Sequence, residues 1–270
     1  MRFLLLLLLS FPVLLNSQEL YPLSDPASNM PARSFGIRFN NTIMGSNSDA
    51  GRDWGSYRFS PEFQWGITKN HMVHVNFYAS SLHQKNFKFE GGRLYYKYRF
   101  YSRDDSHKHF RMAAFAKVGL SGNPLTWEEI TLGSDHTGFE IGWTGTQLVK
   151  KFAISFTGSY TKAFNNLNHE MTNGIPSNSL NFSVSNGLLV FPQKYKNYNQ
   201  TNINIYAEFF GKWNPENNSA YIDIAPSFQF IFNSQVRLDF AYRVQMAGNM
   251  ERAGNQQFIM KFLYVFFNAY

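Results

Sequence analysis

Two short polar segments contain residue types that could supply a nucleophile and a general base. Ser134 and His136 lie in GSDHTG, and His169 and Glu170 lie in NHEMTNG. Hydrolysis of an ester or amide needs such a pair within hydrogen-bond reach of each other. The polarity of an exposed loop explains both segments equally well, so they predict a catalytic site only if the fold brings a pair together.

Histidines at short spacings are the candidates for metal ligands. His71 and His74 are three residues apart, so on a β-strand they face opposite sides and cannot share an ion. His107 and His109 could face one way beside the acidic pair at 104–105, a set that equally suits a solvated charged turn. No GxxxxGK[ST], CxxC, HExxH or GxSxG motif occurs. We therefore predict no metal site and no cofactor.

Charged side chains recur at every second position, as in VRLDFAYRVQ (236–245). Such alternation is the pattern of a β-strand with one polar and one apolar face. If the polar faces share one interior, basic groups outnumber acidic ones there, and their field would enrich anions. Cross-strand ion pairs that fill the interior are the alternative, and both interpretations stay open. The predicted lining residues are Arg38, Arg58, Glu62, Arg93, Lys97, Arg99, Arg111, Lys117, Glu140, Glu208, Asp223, Arg237, Asp239 and Arg243.

The alternation predicts twelve strands between residue 33 and residue 270. Most are longer than the ~5–6 residues that are usual in soluble proteins. They match the ~9–11 residues that a tilted strand needs to cross a membrane. The predicted strands are 33–42, 56–68, 72–80, 90–101, 110–119, 138–148, 152–162, 180–190, 201–211, 220–232, 236–246 and 256–270.

The predicted connections alternate between short and long. Connections after even-numbered strands are mostly short, as at 233–235, whereas the longest follow odd-numbered strands, at 120–137 and 163–179. Short turns at one end and long loops at the other are typical of outer-membrane barrels, which have an even number of strands. The connections at 102–109 and 191–200 are long for this pattern.

The abundance of aromatic side chains decides which face we expect to point outward. The chain has 28 Phe and 15 Tyr but only 16% charged residues. So many apolar side chains would overfill the interior of one small barrel, whereas a lipid-facing surface accommodates them. We predict an all-β fold, a single antiparallel transmembrane β-barrel of about 12 strands.

The first residues, MRFLLLLLLSFPVLLNSQEL, resemble a secretory signal peptide. A basic residue precedes an apolar stretch of 13 residues, which is shorter than a membrane-spanning helix. We expect cleavage near Ser17, a proline-rich lead-in at 18–31 that could lie in the lumen, and a barrel domain at 32–270. The sequence has no cysteine, which excludes disulfides and a lipid-anchored N-terminal cysteine.

The C-terminal segment FIMKFLYVFFNAY resembles the closing strand of Gram-negative outer-membrane β-barrels. In that resemblance, Phe262, Tyr264, Phe266 and Tyr270 supply the barrel-assembly signal, while Asn268 departs from the alternation. GIRFNNTI, KYRFYSRDDSHKHFRMAAFAK and YIDIAPSFQFIF are similar to Bacteroidetes barrels, and loosely to the transporter-like group of the phenol-degradation meta-pathway. The resemblance implies outer-membrane lipid and the barrel assembly machinery as partners.

We predict a cell outer membrane channel or transporter for small solutes with a basic lumen, rather than an enzyme. Despite the formal charge of +7, the lack of Lys/Arg runs argues against nucleic acid as a partner. One alternative is an outer-membrane lipid hydrolase, because some lipases and lipid A deacylases are twelve-stranded barrels of similar length. Neither candidate segment has the His-x-Ser order that some of them show. The other alternative is a non-conducting structural or surface-binding barrel whose lumen is blocked by ion pairs.

Overall fold

Twelve antiparallel strands form one closed barrel, as the alternation predicts. The computed structural model describes residues 21–46, 53–171, 174–192 and 200–270. Each strand pairs with its neighbours in the sequence, and β1 pairs with β12 to close the sheet. The strands are β1 (Ser34–Met44), β2 (Ser56–Gly66), β3 (His71–Ser80), β4 (Lys88–Asp105), β5 (Lys108–Ser121), β6 (Thr137–Val149), β7 (Phe152–Phe164), β8 (Asn178–Phe191), β9 (Asn202–Asn214), β10 (Ser219–Phe232), β11 (Val236–Gly248) and β12 (Gln256–Phe266).

The barrel has an apolar outer surface and a polar interior. On β10, Ile222 and Phe228 are exposed outside, while Asp223 and Gln229 are buried inside. The outward rings pack across strands, as where Phe228 stacks on Phe240 of β11 with centroids 5.3 Å apart. Alternate residues of each strand therefore face either the apolar outer surface or the polar interior.

The two ends of the barrel differ in their connections. The turn end carries the connections after even-numbered strands, such as 150–151 and 233–235, and the loop end carries those after odd-numbered strands. The loop end includes the longer segments 122–136 and 165–177. The first strand residue, Ser34, and the last, Phe266, both lie at the turn end. There β1 pairs with β12, and Phe266 is the partner of Phe35.

The strand bounds differ from the prediction by up to four residues, and two of these differences change the connections or the end of the sheet. The segment 102–109 is not a long connection, because β4 and β5 continue pairing to Asp105 and Lys108 and leave a turn of two residues. His107 takes φ of 59° there, which permits the tight reversal. The last strand ends at Phe266 rather than at residue 270, and the Tyr270 hydroxyl donates to the carbonyl of Gly66 at 3.0 Å.

Several predictions fall partly or wholly on residues that the structure does not describe. The signal peptide at 1–17 and the first residues of the lead-in lie outside the described residues. So does most of the connection predicted at 191–200. In the described part of the chain, we find no helix that is long and apolar enough to cross a membrane.

Candidate functional site

The predicted lining residues all lie on the inner face of the barrel. The least exposed, such as Lys97, Glu208 and Asp223, are fully buried, and the others follow the same inward alternation on their strands. Arg58, Lys117 and Arg243 retain partly exposed side chains. Whether these side chains lie along a solute path remains a prediction.

Most of these charges are held in ion pairs. Arg38 contacts Glu62 at 3.2 Å across β1 and β2, and Lys117 contacts Glu140 at 3.0 Å across β5 and β6. Such pairs reduce the charge that a solute would meet. On β11, the Nε atom of Arg237 donates to Asp239 at 2.9 Å, a pairing along one strand that the alternation did not single out.

Glu62 is the acceptor for several side chains on the same part of the wall. His74 Nδ1 lies 3.1 Å from its carboxylate, and Asn76 Nδ2 donates to it at 2.6 Å. His74 faces inward, whereas His71 faces outward and stacks on Tyr98 with ring centroids 4.9 Å apart. The expectation that these two histidines cannot share an ion therefore agrees with their placement.

At the loop end, residues 122–136 fold back across the barrel; we call this segment the lid. Trp127 is buried and its ring lies 4.6 Å from that of His83. Glu129 contacts Arg252 at 3.2 Å and accepts a hydrogen bond from the Tyr221 hydroxyl at 2.7 Å. Because these contacts reach the opposite wall, the lid covers the interior at this end.

Arg252 joins the lid to the wall on one side. Its guanidinium donates to both carboxylate oxygens of Asp223, at 2.7 and 2.9 Å, and Arg243 Nε donates to Asp223 at 2.6 Å. Burial opposes the ionisation of Glu129, but Arg252, Lys212 and Arg243 lower its pKa to about 2. The alternation placed Asp223 and Arg243 on inward faces of neighbouring strands, but it gave no signal for Arg252, since a loop residue carries no strand alternation.

A second cluster holds the other side of the lid. Arg58 donates to Glu90 and to Asp135, each at 2.8 Å, and His83 Nε2 lies 2.9 Å from Asp135. The carboxylates of Glu90 and Asp135 and the ring of His83 could together ligate a metal ion. Arg58 already places a positive charge between both carboxylates, so a cation there would be repelled.

At the turn end, residues 21–30 of the lead-in run inside the barrel. The carboxylate of Glu208 accepts hydrogen bonds from the backbone N–H groups of Leu23 and Ser24 at 2.9 and 2.8 Å. Lys97 Nζ donates to the carbonyls of Pro26 and Ser28 at 2.7 and 2.9 Å. These two predicted lining residues therefore bind the chain itself.

Other inward side chains complete the seat of the lead-in. Arg111 Nη1 donates to the Ser28 hydroxyl at 2.8 Å, and the N–H of Ala27 donates to Thr146 Oγ1 at 2.9 Å. Tyr21 packs edge-to-face on Tyr206 with centroids 5.6 Å apart. The lead-in therefore fills part of the lumen, with its backbone polar groups paired to the wall.

The candidate nucleophile and base are not arranged for hydrolysis. The Ser134 hydroxyl donates to Asp135 at 3.0 Å, while His136 Nδ1 accepts from the N–H of Thr131 at 3.3 Å. Both side chains are buried in the lid. His169 and Glu170 are exposed in another loop. His109 does contact Asp104, at 2.7 Å, in a setting that suits the charged turn of the alternative interpretation.

We predict that His136 makes closure of the lid dependent on pH. Burial lowers its pKa to about 4, against the opposing effect of Asp135 and Glu129. When the lid lifts, the ring returns to its ordinary pKa of about 6.5, so the lifted state binds the proton first. Closure is therefore favoured fully above about pH 6.5 and is weakened as the pH falls toward 4, by up to about 3 kcal/mol. Asp135 and Glu129 remain ionised in the closed state over this range, because their pKa values are lowered.

We expect amide hydrogen-exchange protection factors in the lid to fall between pH 7 and pH 5. Lys212 and His83 also face His136, so the control is His136→Asn, whose carbonyl can still accept from Thr131. That variant should keep a flat profile over the same range. An equal fall in His136→Asn would assign the effect to another group.

Comparison with one solved structure supports the barrel fold. No protein-family model matches the chain, and no curated protein matches it. An outer membrane channel from Pseudomonas putida F1 shares the fold with a TM-score of 0.59 at 10% identity, over 90% of this chain and all of that one. NanC porin matches with a TM-score of 0.49 at 9% identity, over 85% of this chain and 98% of that one. Outer membrane phospholipase A from Escherichia coli matches with a TM-score of 0.41 at 10% identity, over 88% of this chain and 97% of that one. At 10% identity, the similarity to the Pseudomonas putida channel is one of fold.

Proposed function

We propose that this protein is an outer-membrane channel for small solutes with a basic lumen that favours anions. The observation that carries the proposal is a closed barrel of strands 10 to 18 residues long, apolar outside and charged inside. In lipid every backbone group must be paired within the sheet, and a closed barrel meets that condition. The shared fold with an outer membrane channel supports the same function.

The excess of basic groups supports the preference for anions. The predicted set contains nine basic and five acidic residues, and the structure adds Lys212, Arg252 and Lys261 against Asp25, Glu90, Glu129 and Asp135. Among these described residues, basic side chains still outnumber acidic ones, by fewer than in the predicted set, which supports the proposed preference for anions. A positive lumen with low-dielectric walls enriches anions through its field.

The remaining predictions fit this function. A signal peptide at 1–17 would direct export, and the outward side chains of Phe262, Tyr264 and Phe266, with terminal Tyr270, would serve the barrel assembly machinery. Outer-membrane lipid would cover the apolar surface. The Bacteroidetes origin and the similarity to the phenol meta-pathway transporters remain hypotheses from sequence resemblance, and a phenolic cargo would be the exception to the anion preference.

Conductance in planar bilayers tests the proposal. We expect brief openings, because the lid and the lead-in occupy both ends, and a reversal potential in a salt gradient that reports anion selectivity. Clear cation selectivity would contradict the basic lumen.

A non-conducting barrel is the second candidate, favoured by the ion pairs and by the two segments that fill the lumen. It predicts no conductance even when both segments are displaced. Deletion of residues 21–30 combined with Gly119→Val therefore separates a closed channel from a non-conducting barrel.

A further inference from the structure

A cavity at the turn end contains buried donors that the fold leaves without acceptors. It lies under the connection between β10 and β11, and its volume is about 50 Å³. Because about 10–15 Å³ of such volume holds one water molecule, the cavity has room for several. Arg38, His74, Lys97 and Arg237 line it together with Asp25 of the lead-in.

Arg237 is the strongest of these donors. Its side chain is 3% exposed, and Nε is taken by Asp239 at 2.9 Å. Both Nη1 and Nη2 are buried, and neither has a hydrogen-bond partner among the residues that the structure describes. Leaving a buried donor of a charged group unsatisfied destabilises a fold, and binding of an ion is one of the few reasons that a native fold retains such a donor.

Register places further positive charge beside this guanidinium. Arg237 and Arg38 are both partners of Leu263, so they flank β12 at one level. Lys261 follows two residues away on the same inward face and is close enough to both arginines to interact with them electrostatically. The Nε atom of Arg38 is also buried and unpartnered.

The described side chains that line the cavity carry more positive than negative charge. Arg38, Lys97 and Arg237 are basic, and Asp25 supplies the carboxylate of this lining. Glu62 and Asp239 pair with Arg38 and Arg237 from outside the lining. The Nη groups of Arg237 are therefore the donors that face the cavity without an acceptor among the described residues.

The geometry points to a binding site for a small oxyanion, held by the two free Nη groups of Arg237 inside a cage of basic residues. Two parallel N–H groups of a guanidinium match two oxygens of a carboxylate or phosphate. The inference deepens the proposed function by naming a place in the lumen and a class of solute. Binding does not require the lid to open, because the cavity lies at the turn end.

Binding is tested by calorimetric titration of the full chain in detergent, with acetate and inorganic phosphate as separate probes. The test variant is Arg237→Gln with Asp239→Asn, which removes the donors without leaving a buried charge unpaired. Lys117→Gln with Glu140→Gln is the matched control, because it deletes another inward ion pair that does not line the cavity. We expect saturable binding by the wild type, a loss of tenfold or more in the test variant, and a change within twofold in the control.

Each outcome decides a separate claim. A carboxylate site gives the tighter acetate titration, and a phosphate site the reverse. No saturable binding by the wild type, or equal binding by the test variant, would overturn the site. Anion-selective conductance without binding would contradict the binding site but not the channel. Binding without conductance in any variant would contradict the channel but not the binding site. Gel migration before and after boiling verifies that each variant forms the barrel.

Discussion

Gly119→Val should displace the lid and open the loop end of the barrel. Gly119 faces inward on β5, and a Cβ atom there would lie 2.4 Å from the backbone N of Gly133 and 2.9 Å from its Cα. Backbone atoms cannot turn away as a flexible side chain can, so the lid must move. Overpacking of this kind typically costs about 1–3 kcal/mol, which shifts the equilibrium toward the lifted lid by roughly 10- to 100-fold.

Cysteine labelling measures the opening cleanly, because the sequence contains no cysteine. Ser227 faces the lumen and is buried, and its hydroxyl has no hydrogen-bond partner in the described part of the chain, so Ser227→Cys is a mild reporter. We expect a charged thiol reagent to label it roughly 10- to 100-fold faster in the Gly119→Val background. Gly145→Val on β6 is the control, since a Cβ atom there would meet, among the described residues, a ring carbon of Trp143 at 3.9 Å and nothing nearer. Unchanged labelling of a correctly folded Gly119→Val barrel would contradict a movable lid.

Deletion of residues 21–30 should open the turn end. The deletion removes the N–H groups that Glu208 accepts and the carbonyls to which Lys97 donates. Water then hydrates both charges, and the space becomes continuous with solvent. Labelling of Ser227→Cys should accelerate here as well, because solvent needs only one open end to reach it.

Conductance needs both ends open, so the two changes should act together. Either change alone should raise labelling strongly and conductance little, whereas deletion combined with Gly119→Val should give long-lived anion-selective openings. Lys97→Met tests the lead-in with a smaller change, and Lys117→Met is its control. Both lysines face inward, but Lys97 donates to the lead-in whereas Lys117 pairs with Glu140 on the wall. Fast labelling without conductance in the combined variant would favour the non-conducting barrel.

The position of a charge on its strand was predictable, but its partner often was not. Alternation placed Asp223 and Arg243 on neighbouring strands, and the structure joins them at 2.6 Å. Arg252, which donates twice to the same Asp223, belongs to a loop. A loop has no fixed period, so nothing local indicated which way that side chain points.

The lid and the lead-in show the same limit. The prolines of the lead-in indicated irregular backbone, and a place in the lumen was only one option for it. Glu208 and Lys97 hold the lead-in in the lumen by hydrogen bonds to backbone groups of residues 23–28. These bonds join residues that are tens to hundreds of positions apart in the sequence. Inward-facing glycines such as Gly119 gave no signal, because the lack of a side chain matters only where another backbone approaches.

The sequence alone determined the class of fold, because a period of two is a local property that each strand carries for itself. It determined the number of strands, the two faces of each and the inward charges. Only the tertiary structure decided what those charges do. Pairing partners, the folded-back lid, the seated lead-in and the free Nη groups of Arg237 depend on which loops and strands meet inside the closed barrel, and no local pattern records those meetings.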